Sequence, residues 1–280
     1  MVELKILILS GKRSFVVKKI KKEFELAGIE STYLNIGKLN LLSRENQTIV
    51  KNQGIEVSDF DAIFLKTSLK LTPFVEPLLD EIQKMGIFVQ IKPGAYYLNA
   101  NDGLQEMVLS AKVRTPKAFI LANPKKTRGL VKLLKYPVVF KTFVGLKKTQ
   151  SIIVESPRSL QSIAKSIKIE TDEVILKEFI EGDLLECAVI GEKVLCIKRK
   201  WKKNELQNLE NGTIAKLGEN DRKTAIAAMN ACGSEIGTVK ICKGFVIDVS
   251  LDIKWNVFCK KTKKNLYREV AEFYLKKVKN

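Results

Sequence analysis

Charged side chains stand at the ends of predicted strands in three parts of the sequence: Lys141, the neighbours Lys198 and Arg199, and Asp248. The 280 residues include no histidine, which excludes a Ser-His-Asp triad, a Cys-His pair and a histidine-ligated zinc ion. Any chemistry must therefore use carboxylates, lysines, arginines and a bound cation. This set of groups favours phosphoryl or acyl-phosphate chemistry over hydrolysis, because charge stabilisation does most of the work in those reactions.

Each of these residues also has a purely structural explanation. Lys141 is interpreted equally well as an edge lysine that faces water. Asp248 has the alternative of a turn former or a salt-bridge partner, as is common for an acid that ends a strand. Arg199 lies within a basic run that continues to Lys203, and such a run is typical of a solvated surface.

The cysteines and the apolar segments indicate the compartment. The five cysteines are scattered and never spaced C-x-x-C, which predicts buried thiols in a reducing environment rather than a disulfide framework. No apolar run approaches the roughly 20 residues that cross a bilayer. Residues 4–9 are predicted to form a buried strand rather than a signal peptide. We therefore expect a cytoplasmic protein that has no membrane partner.

The net charge of +18 comes from 49 basic and 31 acidic residues. Such a field attracts nucleic acids, acidic proteins and anionic metabolites, most strongly at low salt. The excess is spread along the whole chain, and no aromatic-basic or helix-turn-helix signature accompanies it. No specific nucleic-acid partner is predicted. A basic RNA- or ribosome-associated factor stays an alternative, and its binding would weaken steeply as salt increases.

The first ninety residues alternate between strand and helix patterns. Strands are predicted at Leu4–Leu9, Thr32–Ile36, Phe60–Lys66 and Ile87–Ile91, with helices after the first and third of them. This alternation predicts βαβ units on a parallel sheet. The first strand-to-helix turn lacks G-x-G-x-x-G, so we predict a Rossmann-like shape without dinucleotide chemistry.

Beyond Pro93-Gly94 the pattern changes, and three regions are predicted. They are a Rossmann-like domain over residues 1–92, a middle subdomain over 93–172 and a C-terminal subdomain over 173–280. The middle region carries two short helices, the strand Lys117–Leu121, the pair Pro137–Phe143 and Ser151–Glu155, and a further helix. A hairpin that turns at Gly191-Glu192, a polar loop and a helix over about Asp221–Ile236 follow. A second strand pair that turns at Lys243-Gly244 and a basic terminal helix complete the chain's predicted elements. The predicted class is α/β, with α+β character in the C-terminal half.

Five segments, in this order, give the chain its resemblance to a known family. They read YPVVFKT at 136–142, ILKEFIE at 175–181, VIGEKVLCIKR at 189–199, NLENGT at 208–213 and FVIDVS at 245–250. Each is short, but their order and spacing resemble the ATP-grasp superfamily, and among its members the RimK-type glutamate ligases. The resemblance covers nearly the whole chain. It implies a Rossmann-like domain followed by the two α+β subdomains of an ATP-grasp fold.

The resemblance also implies a role for each motif. The strand lysine contacts the α- and β-phosphates, the hinge holds adenine through its backbone, and an acid after the hinge contacts ribose. The hairpin ends in basic residues near the phosphates, one of them catalytic, and the last strand holds magnesium. In this sequence the matching residues are Lys141 for the strand lysine; Lys177, Glu178, Phe179 and Ile180 for the hinge; Asp183 or Glu186 for the ribose acid; Lys198 for the phosphates; Arg199 for catalysis; Asn208 for the NLxxGG-like loop; and Asp248 for the metal.

The sequence departs from the family's pattern in three places. Asp102-Gly103 stands where the family has Asp-Lys, and the segment 145–151 keeps one glycine of a glycine-rich loop. The first metal-binding acid has no counterpart, because Lys240 lies in that stretch. We expect at most one magnesium ion, on Asp248 with Asp252, and Lys240 as a fixed cation in place of another.

The resemblance implies an ATP- and magnesium-dependent carboxylate-amine ligase that forms an amide through an acylphosphate. The positive field suits a small carboxylate metabolite or an acidic peptide or protein tail as the acceptor. The alternative is a degenerate ATP-grasp scaffold that binds nucleotides or partners without turnover, and the three departures favour it. Fold similarity alone does not separate the two, since function resides in the site. A homo-oligomer is compatible with either.

Overall fold

The computed structural model describes residues 4–44, 47–52, 54–122, 127–144, 148–166, 174–201 and 211–279. No helix within these ranges is both long enough and apolar enough to span a membrane. The strands are β1 Lys5–Ser10, β2 Glu30–Asn35, β3 Asn40–Arg44, β4 Gln47–Asn52, β5 Ile55–Glu56, β6 Ala62–Lys66, β7 Phe88–Val89, β8 Ala118–Leu121, β9 Val138–Val144, β10 Lys148–Val154, β11 Val174–Glu178, β12 Gly182–Ile190, β13 Lys193–Trp201, β14 Thr213–Ala215, β15 Ile236–Cys242 and β16 Phe245–Ser250. The helices are α1 Phe15–Leu26, α2 Thr72–Lys84, α3 Ala95–Ala100, α4 Asp102–Ser110, α5 Thr127–Leu130, α6 Pro157–Ser166, α7 Glu219–Ala231, α8 Trp255–Thr262 and α9 Leu266–Lys279.

The N-terminal region contains the predicted parallel sheet, in the order β2-β1-β6-β7. The central strand β1 is buried over its last five residues and apolar from Ile6 to Leu9, as expected for a parallel strand covered on both faces. Ser14 caps α1 by accepting a hydrogen bond from the Val17 amide. Gly28 ends that helix region at a φ of +73°, a conformation that glycine adopts without strain.

A small antiparallel sheet of β3, β4 and β5 follows β2, and the sequence analysis did not predict it. Residues 40–56 alternate only weakly between apolar and polar side chains, so the period that indicates a strand is faint there. Val50 and Val57 nevertheless reach the core under α2. The expected α/β class is confirmed with this addition.

The middle region is an antiparallel sheet in the order β10-β9-β11-β8. Val138, Phe140, Leu176 and Leu160 pack together on the side of α6. Because strand side chains alternate between faces, the opposite face of β9 and β11 carries Val139, Lys141, Ile175 and Lys177. That face is turned towards the C-terminal region.

The C-terminal region is an antiparallel sheet in the order β14-β13-β12-β15-β16. The predicted hairpin is present as β12 and β13, and the predicted turn at Lys243-Gly244 joins β15 to β16 with both residues at positive φ. Helix α7 ends at Ala231, five residues before the predicted end, because Gly233 turns the chain at a φ of +73°. The basic terminal segment forms two helices, with Lys263 in a left-handed conformation between them.

One apolar core joins the N-terminal sheet to the C-terminal sheet. Helix α9 packs against α1 and places Tyr274 between Phe24 and Phe64 of the N-terminal region. The Tyr274 hydroxyl donates to the Ile63 carbonyl at 2.8 Å and lies 2.6 Å from Gln90 Oε1. The last helix of the chain therefore fixes the first domain on the sheet that carries the C-terminal motifs. The residue limits of the three regions stay a prediction.

Gly237 is required by the close approach of β15 to β16 and α7. A Cβ atom there would lie 2.3 Å from the Ser250 carbonyl oxygen and 2.6 Å from the Met229 methyl carbon. We expect Gly237→Ala to lower the free energy of unfolding by about 1–3 kcal/mol, since the strand backbone must shift. Urea unfolding measures this loss. Gly129→Ala is the control, because a Cβ atom at Gly129 meets no atom within 4 Å; equal costs for the two variants would contradict the packing argument.

Candidate active-site cleft

The middle sheet and the C-terminal sheet meet along a seam, which we call the cleft, and an apolar cluster forms its floor. Its buried members come from β9, from the segment after β11, and from β12, β15 and β16: Val139, Phe179, Leu184, Cys242 and Ile247. Ile153, Ile180 and Phe245 pack against them. An apolar surface between two sheets suits a planar ring, and polar groups at its rim would set the orientation of such a ring.

Lys141 lies at the rim of this floor, on the cleft face of β9. Its ammonium is 3.5 Å from Asp102 Oδ2, which the first turn of α4 supplies. Burial alone lowers the pKa of Lys141, but the carboxylates of Asp248, Asp102 and Glu106 outweigh it and the net pKa is raised. Lys141 therefore carries a fixed positive charge at neutral pH, on a rigid strand, inside the cleft.

Lys177 is the most deeply buried cation of the cleft, with 3% of its surface exposed. Its ammonium donates to Glu106 Oε1 of α4 at 2.5 Å and to the Ile247 carbonyl of β16 at 2.8 Å. Burial and the charge of Lys141 lower the pKa of Lys177, although Glu106 opposes that shift. This side chain therefore joins the middle sheet, α4 and the C-terminal sheet.

The segment from Glu178 to Ile180 connects the two sheets as the predicted hinge. The Glu178 amide donates to the Lys117 carbonyl at 2.9 Å, and the Phe179 amide donates to the Pro137 carbonyl at 3.0 Å. Glu178 Oε1 also accepts from the Lys135 amide at 3.2 Å. These bonds hold the hinge against β8 and β9, so its backbone presents a fixed edge to the apolar floor.

Arg199 and Lys198 are neighbours in sequence but lie on opposite faces of the C-terminal sheet. Arg199 is paired with Leu184 of the cleft floor, whereas Lys198 is paired with Leu185, which packs on the α7 side. Arg199 is buried, with 6% exposed. Directly opposed residues of neighbouring strands share a face, so Arg199 belongs to the cleft.

Asp183 shares the outer face with Lys198. The Lys198 ammonium lies 3.3 Å from Asp183 Oδ2, and both side chains are about half exposed. The placement of this pair speaks against the predicted phosphate contact of Lys198 and the predicted ribose contact of Asp183. The alternative ribose acid, Glu186, does lie on the cleft face, since it is paired with Lys240 across β12 and β15.

Glu186, Lys240 and Asp248 form a row across three strands, which we call the charge ladder. Lys240 is paired with Glu186 on one side and with Asp248 on the other. Its ammonium donates to Asp248 Oδ2 at 2.7 Å. The Asp248 carboxylate, foremost, raises the pKa of Lys240 against the effect of burial. Burial would raise the pKa of Asp248, but Lys240, Lys141 and Lys177 together lower it, so Lys240 and Asp248 are both charged at neutral pH.

The charge ladder does not fit a magnesium ion held by protein carboxylates. Magnesium takes near-octahedral oxygen ligation, whereas Asp248 already accepts a hydrogen bond from an ammonium. Within the described ranges, no group of three or more acidic, cysteine or histidine side chains is placed to hold a metal ion. Asp252, the predicted second ligand, instead bonds the ammonium of Lys66 at 2.5 Å. The magnesium site on Asp248 stays a prediction, and its carboxylate has a different partner in this structure.

Some predicted groups lie outside the described residues. Asn208 and the flanking residues of its loop belong to the undescribed range 202–210, and the centre of the glycine-poor segment belongs to 145–147.

Two residues of the site were absent from the sequence prediction, Glu106 and Lys254. The signal for Glu106 was available, because it follows Asp102 by four residues on a helix and so shares its face. Lys254 follows the last strand in a loop, where no periodicity indicates a direction.

A cavity of about 580 Å³ adjoins the ladder at the carboxyl ends of β1 and β6. Its lining includes Lys12, Lys66, Lys254 and Trp255. The Lys254 ammonium lies 3.6 Å from Glu186 Oε1, so this cavity meets the charge ladder at one lysine. Three lysines around a partly apolar cavity favour an anionic occupant that also carries an apolar part.

The fold and the cleft define an ATP-grasp protein. The RimK-like ATP-grasp domain matches residues 100–273, which is more than half of the chain. The protein therefore belongs to the RimK-like ATP-grasp family. The matched range includes both sheets that form the cleft.

Individual relatives agree with this placement. The chain is 25% identical to a probable alpha-L-glutamate ligase of Psychromonas ingrahamii, over 83% of this chain and 82% of that protein. It is 26% identical to a probable alpha-L-glutamate ligase of Aliivibrio fischeri, over 73% of this chain and 71% of that protein. Among solved structures, the ATP-grasp ligase PsnB complexed with a precursor peptide and AMPPNP superposes with a TM-score of 0.75 at 13% identity, over 99% of both chains. An ATP-grasp ligase of Chryseobacterium gregarium, in complex with ADP and a leader and core peptide, superposes with a TM-score of 0.70 at 11% identity, over 98% of this chain and 97% of that chain. These two structures support the fold.

Breaking the buried pair of Lys177 and Glu106 should be costly. We expect Lys177→Met to lower the free energy of unfolding by about 3–5 kcal/mol, because the Glu106 carboxylate is left buried without its partner. The double variant Lys177→Met with Glu106→Leu should recover most of that loss, since no buried charge remains. Urea unfolding of the single and double variants measures both. A single-variant cost below about 1 kcal/mol, the level of an exposed ion pair, would contradict the account.

Proposed function

We propose that the protein is an ATP-dependent carboxylate-amine ligase whose nucleotide lies in the cleft between the middle and C-terminal sheets. The observation that carries the proposal is the convergence of Lys141 and Arg199 on one apolar floor beside a hydrogen-bonded hinge. The planar base would lie on the floor against the backbone of Glu178 to Ile180. Lys141 and Arg199 would then meet the phosphates as two fixed positive charges.

The reaction class follows from the family and from the charges of the cleft. A carboxylate oxygen of the first substrate attacks the γ-phosphorus of ATP, and the bond to the leaving ADP oxygen breaks. An amine then attacks the acyl carbon, loses a proton and expels phosphate, which leaves an amide. The residues of this chain bind and orient these anions, and Arg199 would neutralise the charge that develops on the transferred phosphoryl group.

The acceptor is proposed to lie in the cavity at the ends of β1 and β6. Lys12, Lys66 and Lys254 line that cavity together with one carboxylate, that of Asp252, and Trp255 supplies an apolar surface. The named relatives are glutamate ligases, and the superposed structures hold precursor peptides. These observations support a carboxylate metabolite or an acidic peptide as the acceptor. Magnesium is held with ADP in one PsnB complex that superposes with a TM-score of 0.74.

A second candidate function is nucleotide or partner binding without turnover. The specific observation in its favour is that the Asp248 carboxylate is already bonded to Lys240 at 2.7 Å. The glycine at position 103, where the family has a lysine, also favours binding without turnover. The two candidates share the nucleotide site and differ in whether ADP is released when amines and carboxylates are supplied.

Calorimetric titration with ATP tests the shared site. We expect Lys141→Ala and Arg199→Ala each to weaken ATP binding about tenfold or more, since each removes a charge-assisted contact to phosphate. Lys198→Ala should change the affinity by less than about threefold, because its side chain lies on the outer face. Lys84→Ala, at an exposed ion pair on α2, is the control. Equal effects from Lys198 and Arg199 would contradict the assignment of faces.

Turnover is measured as the release of ADP and by mass spectrometry of the product. We screen amino acids and acidic peptides at saturating ATP. Release of ADP that depends on an added carboxylate and amine supports the ligase. ATP binding with no ADP release for any pair supports the scaffold without turnover. No binding at millimolar ATP would overturn both.

A further inference from the structure

The position of Lys240 gives the charge ladder a property that neither the family nor the proposed function assigns. Lys240 stands between two carboxylates on the cleft face, with Glu186 directly opposite on β12 and Asp248 directly opposite on β16. The order of charges across the sheet is negative, positive, negative. The central ammonium neutralises each neighbour in part, and the row by itself keeps one net negative charge.

The carboxylate of Asp248 is surrounded by cations of the chain itself. Lys240 donates to it at 2.7 Å, and Lys141 and Lys177 act on it from the middle sheet. A divalent ion that approached Asp248 would meet three ammonium groups and would have to displace one of them. Like charges at such distances repel strongly where solvent is largely excluded. The field around Asp248 therefore opposes a metal ion.

The same arrangement leaves part of the ladder open to an anion. The Asp248 side chain keeps 33% of its surface exposed and the Lys240 side chain 29%, so both reach the cleft. Glu186 is 1% exposed, and no group of the described ranges hydrogen-bonds its Oε2 atom. An ammonium has three donors, and Lys240 uses one of them on Asp248. The remaining donors can meet the oxygens of a phosphate.

We propose that Lys240 is the built-in cation of this site, held by Asp248 and Glu186, and that Asp248 positions Lys240 instead of ligating a metal ion. The ammonium meets the phosphate oxygens of a nucleoside triphosphate beside Lys141. Nucleotide affinity then depends on Lys240 and not on a divalent ion bound to Asp248. The nucleotide part of this inference rests on the proposed function; the metal part does not.

Binding of Mn²⁺ alone, followed by electron paramagnetic resonance without nucleotide, tests the metal part. The unaltered protein should bind no Mn²⁺ more tightly than about 1 mM. Lys240→Met should gain a site at least tenfold tighter than that, since Asp248 and Glu186 then flank position 240 without the ammonium that stands between them. The added change Asp248→Asn should abolish the gain. A Mn²⁺ ion bound by the unaltered protein and lost in Asp248→Asn would overturn the inference.

Titration with ATP in excess EDTA tests the nucleotide part. We expect the affinity of the unaltered protein to differ by less than about threefold between EDTA and Mg²⁺, and Lys240→Met to weaken binding in EDTA about tenfold. Lys240→Arg, which keeps the charge, should stay within about threefold, and it preserves the test if Lys240→Met does not fold. Lys193→Met is the matched control, because Lys193 is ion-paired with Glu269 and Glu272 at the far end of the same sheet.

The outcomes separate this inference from the proposed function. Two results together would overturn the inference and leave the nucleotide site intact. EDTA would weaken ATP binding to the unaltered protein by more than about tenfold, and Lys240→Met would bind ATP in Mg²⁺ as tightly as the unaltered protein does. Failure of Lys141→Ala to affect ATP binding would overturn the proposed function. The Mn²⁺ measurement would still decide whether Asp248 serves Lys240 or a metal ion.

Discussion

The cleft depends on one buried ammonium group, that of Lys177. It projects from β11 and bonds Glu106 of α4 and the Ile247 carbonyl of β16, so one side chain fixes three elements from two regions. Removing both charges from water costs free energy, and only the short contact and the additional carbonyl bond offset that cost. The distance between the two sheets is therefore set by the reach of a lysine. The apolar floor, the hinge and Lys141 take their positions from that distance.

The strand period then decides which charges enter the cleft. On the middle sheet, Lys141 faces inward because it is two residues from Val139 of the floor on β9. Lys177 faces inward because it is paired with Val139 across β11 and β9. On the C-terminal sheet, Leu184 fixes the face of Arg199, and the same rule sends Lys198 to the outside. The lysines that enter, Lys141, Lys177 and Lys240, are paired with Asp102, Glu106 and Asp248 in that order. The cleft thus holds many cations without a large unbalanced field, which a buried site would not tolerate.

Much of the fold could be predicted from the sequence, and the errors have physical causes. The parallel sheet, the hairpin of β12 and β13 and the turn at Lys243-Gly244 follow from strong local signals. The meander of β3 to β5 lacks a clear period, and its strands are held by packing under α2. Side-chain direction was the weaker part of the site prediction. The adjacent Lys198 and Arg199 carry the same charge, and only the register with β12 separates them. Lys240 looked like the loss of a metal ligand, whereas pairing across three strands places it between Glu186 and Asp248, with the Asp248 carboxylate as its hydrogen-bond partner.

The most direct test of this account is a crystal structure of the protein with AMPPNP, determined in the presence of EDTA. The account predicts the adenine ring on the floor formed by Val139 and Phe179, and phosphate oxygens within hydrogen-bond distance of Lys141 and Arg199. It also predicts that the contact between Lys240 and Asp248 persists. Nucleotide bound on the outer face beside Lys198 and Asp183, or a cleft that excludes the nucleotide at saturating concentration, would contradict it.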